Sequence, residues 1–160
     1  MSDSTKQVDT DTAALPVIRK FLLILFLLGT VGAGSELLLI EHTEEKFQLI
    51  PLALMGLSLV VAIWFVVGKG PASLRIFQQT MFLFIMSGFT GQWLHYKANT
   101  EFELEMYPTL GGLDLFWEAI KGSTPPTLAP GTMILLGLLG LAFTYKHPVL
   151  SAISKRKQKP

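Results

Sequence analysis

Apolar side chains gather in four long runs, and the polar breaks between them set the architecture. The runs cover residues 16–40, 49–67, 74–96 and 130–145. A helix of about 20 residues crosses a hydrocarbon layer of roughly 30 Å, so runs near that length predict transmembrane helices. The pattern predicts an all-α integral membrane protein, its four spans arranged as an up-down bundle. Pro51 opens the second span in the first turn, where proline costs no hydrogen bond. Lys69-Gly70-Pro71 ends that span, and Lys146-His147-Pro148 ends the fourth. The fourth run is short and calls for a thin bilayer or an entry within the interface.

The segments outside the runs divide the chain further. Residues 1–15 are polar and predict a disordered cytoplasmic tail. The membrane domain occupies 16–147, and 148–160 form a second tail with the basic cluster Lys155-Arg156-Lys157-Gln158-Lys159. That cluster is expected to meet anionic lipid headgroups. The outer loop, 97–129, is too long for a plain connection. Its Glu101-Phe102-Glu103-Leu104-Glu105-Met106 alternates acid and apolar residues, which predicts an extended strand. Leu113, Phe116, Trp117 and Ile120 then share one helical face, predicting a short amphipathic helix on the outer leaflet. Residues 123–130 carry three prolines and predict a stiff return.

Charge orients this layout. With both termini cytoplasmic, the inner segments hold Lys6, Arg19, Lys20, Lys69, Arg75, Lys146, Lys155, Arg156, Lys157 and Lys159, and only Lys46, Lys97 and Lys121 fall outside. Such an excess of Lys and Arg marks cytoplasmic loops. Half the residues are hydrophobic and the net charge is +1, so nucleic acid is not an expected partner. A mean hydropathy of +0.47 is too apolar for a soluble domain of this size. Without cysteine there is no disulfide, zinc–thiolate site or thiol catalysis. The expected location is a plasma or bacterial inner membrane. A competing reading makes the first run a signal peptide cut at Val31-Gly32-Ala33, against which the apolar run resumes at Leu37.

One polar constellation stands out. Gly29, Gly32, Ala33 and Glu36 fall on one stripe of the first span. Gly88, Gly91, Gln92 and His95 repeat the layout in the third. The small residues predict helix contacts, since close backbone approach drives association in lipid. Together with the similar ends of the second and fourth spans, the stripes hint at a duplicated hairpin. Glu36 and His95 are expected at similar depth, with Gln92 beside them, as a proton or ligand site, because an intramembrane carboxyl is costly without a partner. The alternative is an interfacial acid that reaches outward, with His95 in an aromatic belt beside Trp93 and Tyr96.

His42 and Glu41 lie just past the first span and, with His95 and Glu36, offer nitrogen and oxygen ligands suited to zinc, iron or manganese. No His-Glu-x-x-His or Glu-x-x-His spacing accompanies them. No serine nucleophile, phosphate loop or dinucleotide fingerprint is present either. The sequence therefore favours a non-catalytic membrane protein, associating with itself or serving as an accessory subunit of a larger complex, with no cofactor expected. Its alternatives are a proton-linked carrier using Glu36 and His95, and a metal or haem redox protein with an outer-face site.

Overall fold

The computed structural model describes residues 2–122 and 125–150, with side chains from Ala14 onward. Its regular elements are all helices. They are α1 (Ser2–Leu39), a single 3-10 turn (Lys46–Gln48), α2 (Leu49–Gly68), α3 (Pro71–Met106), α4 (Gly112–Lys121) and α5 (Gly131–Thr144). Local chemistry sets these limits. α1 ends where Glu41 turns left-handed (φ 54°), with His42 N–H donating to the Leu37 carbonyl and Glu41 N–H to that of Leu38. α2 ends the same way at Lys69 (φ 46°), and the chain turns left-handed again at Lys146, just past α5. Pro71 opens α3 with φ already set for a helix.

Two boundaries differ from those expected. α1 takes in residues 2–15, which the sequence assigns to a tail. α3 continues to Met106, so 101–106 are helical and not an extended strand. The acid–apolar alternation there is only three repeats long, and helical contacts outweigh it. Lys97 pairs with Glu101 one turn on at 3.5 Å, and Asn99 is buried against α4. α5 spans 14 residues, about 21 Å of helix. The amphipathic helix forms as expected, as α4.

α3 packs against α2, α4 and α5, and α1 packs against α2 and α5. α5 therefore lies between α1 and α3. Aromatic rings fill the centre: Phe26 meets Phe77 edge-on at 5.2 Å, and Phe143 meets Phe77 and Phe65, each at 5.8 Å. α5 can approach this closely because of its glycines. A Cβ on Gly137 would lie 2.8 Å from the Met81 carbonyl oxygen, and one on Gly140 would overlap the Met81 side chain.

The segments Ala14–Leu39 and Lys46–Gly68 are long and apolar enough to cross a membrane. α5 is apolar but shorter. The apolar run of α3 is broken by Arg75, Gln78 and Gln79. Only 11 % of the most apolar window of α1 is buried.

Candidate functional site

α1 and α3 run in the same direction on either side of α5. Arg19 of α1 donates to the carbonyls of Tyr145 (3.4 Å) and Lys146 (3.1 Å), while Gly29 sits against Leu136. On α3, Gln78 reaches Thr144 (3.1 Å), and Gly91 sits against Pro130. Both helices thus oppose α5. Their mutual register places His95 beside His42, with ring centroids 6.3 Å apart and planes at 67°.

Each ring is held from below. The turn that closes α1 delivers His42, through the hydrogen bond from its own N–H to Leu37. His95 Nδ1 lies 2.8 Å from the Pro126 carbonyl oxygen. A carbonyl only accepts, so Nδ1 donates a proton at this contact. Asn99, one turn further along α3, continues the grip. The two hydrogens of its Nδ2 go to the Pro125 carbonyl at 2.9 Å and to Thr127 Oγ1 at 2.8 Å, with the Ala119 carbonyl a longer, shared contact at 3.3 Å. Thr127 Oγ1 donates in turn to Ala119 at 2.9 Å. His95 and Asn99 together pin the proline-rich return and α4 to the end of α3.

Burial, and then the nearby ring of His95, hold the His42 imidazole below its usual pKa. The two rings together present imidazole nitrogens to a group approaching from outside. Glu36 does not join it. Its carboxylate is exposed and makes no ion pair or hydrogen bond among the described residues. Glu41 is exposed as well, at its left-handed turn. Among the described residues no group of three or more His, Asp or Glu side chains is placed to hold a metal. Gln92 lies against Gly131 at the start of α5.

The expected helix-packing positions divide. Gly29, Gly88 and Gly91 all face α5; a Cβ on Gly88 would lie 2.5 Å from Ile134 and 2.9 Å from the Pro130 carbonyl oxygen. Ala33 packs on the core. Gly32 faces open space. The buried arc of α1 is centred on Phe26, Thr30, Ala33 and Leu37, roughly a quarter-turn round from the stripe of small residues. Large side chains set it, and Gly32 and Glu36 are turned outward.

Sequence reasoning missed Asn99 and Thr127. The one signal was spacing, since Asn99 follows His95 by one helical turn at the same face. At the opposite end of the molecule an open groove of about 460 Å³ lies between α3 and α5, away from both histidines of the pair. No family model, curated protein or solved structure matches the chain.

Proposed function

We propose that this chain is a four-span integral membrane protein, both ends cytoplasmic, that acts without catalysis by joining a second copy of itself or a larger membrane complex. The observation that carries this reading is the outer face of α1. Leu28, Gly32, Ser35, Glu36 and Leu39 form an exposed stripe that is apolar, small in the middle and ends in an unpaired carboxylate. Facing acyl chains, that carboxylate is costly. A neighbouring membrane helix could approach at Gly32 and Ser35 and supply a donor to Glu36.

Two further arrangements support the membrane setting. Large apolar side chains point outward on every main helix, among them Leu39 at 84 % and Val67 at 80 % exposure, with Phe82 and Leu138 on the others. Burying that surface in lipid stabilises it, whereas water would not. The second arrangement is charge: Arg19, Lys20, Lys69, Arg75 and Lys146 gather at one end, the acids of 41–45, 101–105 and 114–118 at the other. One polar group of α3, Gln78, fits a span because Thr144 satisfies it within the chain, while Arg75 and Gln79 remain exposed. A plasma or bacterial inner membrane suits this charge pattern. The carrier reading would need Glu36 to work with His95, and the helix register pairs His95 with His42 instead.

The test is cross-linking through a cysteine at Ser35 in native membranes. A homodimer, or a reproducible adduct to one larger membrane protein, is the expected product, and Gly32→Leu should abolish it. A strictly monomeric particle with no co-purifying partner would contradict association.

A further inference from the structure

The open groove between α3 and α5 changes character along its length. Phe82 and Leu141 line the part nearer the middle of the helices, Gln78 and Thr144 follow, and Tyr145 and Lys146 stand at the end with His147 and the apolar Leu150. Spacing produces this order, because Gln78 lies one turn before Phe82 on α3, and Thr144 and then Tyr145, just past the end of the opposed α5, follow Leu141. Gln78 and Thr144 satisfy each other at 3.1 Å. No carboxylate lines the groove. The Lys146 ammonium lies 5.4 Å from the centre of the Tyr145 ring and makes no ion pair among the described residues. Arg19, which does not itself line the groove, holds a second cation beside its end through bonds to the Tyr145 and Lys146 carbonyls.

We propose that this groove holds one anionic phospholipid, an acyl chain along Phe82 and Leu141 and the headgroup phosphate against Lys146 and Arg19. The inference rests on the membrane reading above. An apolar wall that turns cationic at the helix ends reproduces the polarity of such a lipid from chain to headgroup. A choline headgroup fits less well, because its own cation would meet Lys146.

Native mass spectrometry of the full chain in mild detergent tests this with phosphatidylglycerol, phosphatidylcholine and inorganic phosphate as probes. One phosphatidylglycerol should be retained per chain in preference to phosphatidylcholine, with inorganic phosphate failing to displace it. Lys146→Gln should weaken retention about five-fold, the factor corresponding to about 1 kcal/mol per basic residue near anionic lipid. Leu141→Trp, which fills the apolar part, should also weaken it, and Lys20→Gln, outside the groove, should not. Equal retention of the two lipids, or unchanged retention by Lys146→Gln, would overturn the proposal. Ready displacement by inorganic phosphate would overturn it too, leaving an anion site without an acyl groove. Recovery of the chain from cells without detergent would instead remove the membrane reading, so the two failures are distinct.

Discussion

His42 and His95 face each other at 6.3 Å across the ends of two parallel helices, and the Pro126 carbonyl holds one of them. Burial lowers the pKa of His42 below its usual 6.5, and burial with the nearby Arg19 does the same to His147 at the opposite end. Between its lowered folded value and 6.5, each ring binds more protons when unfolded. Their contribution to stability is therefore complete above about pH 6.5 and is lost as pH falls below it. Melting temperature in detergent should drop between pH 7.5 and 5.5, and His42→Gln with His147→Gln should flatten the curve. A wild-type profile as flat as that of the double variant would contradict this assignment.

The glycines of α5 should be far more sensitive to a methyl group than the outward glycine of α1. Gly137→Ala forces a Cβ to within 2.7 Å of Ile85 and 2.8 Å of the Met81 carbonyl oxygen, so it should cost about 1–3 kcal/mol. Gly32→Ala meets nothing and should fall within about 0.5 kcal/mol of the parent. Denaturant unfolding of the purified protein compares them directly. Equal losses would mean that α5 does not sit where the structure places it.

What the sequence disclosed follows from how strongly each residue constrains its surroundings. The limits of α2 were legible because Pro51 and Lys69-Gly70-Pro71 act locally, and α4 because its apolar face is periodic. The facing of α1 was not. Small residues mark where helices can approach, but Phe26 and Leu37 decide where they do, and those large groups turn Gly32 and Glu36 away. The grouping of His42 with His95 was legible from their places at the ends of two parallel spans, but the exposure of Glu36 and the hold of Pro126 on His95 were not, because both depend on how the helices pack around α5. Local spacing carries no information about α5.

Asn99 is 3 % exposed and its amide donates to Pro125 and Thr127 on the return segment, within reach of the Ala119 carbonyl on α4. Asn99→Ala leaves the Pro125 carbonyl without that donor and opens a gap against Gly122, so it should cost about 1–3 kcal/mol. The loss should be local. Limited proteolysis should cut the segment around α4 faster in the variant while the main helices keep their protection. A uniform loss of protection would show that Asn99 supports the whole fold.

The chain contains no cysteine, so single cysteines can be introduced and labelled one at a time. The most direct test of the account is labelling at positions 44, 70, 111 and 146 in intact cells with a membrane-impermeant maleimide. Cysteines at 44 and 111 should react from outside, and those at 70 and 146 only after the membrane is permeabilised. Labelling of all four in intact cells, or the reverse pattern, would contradict four spans with both ends inside.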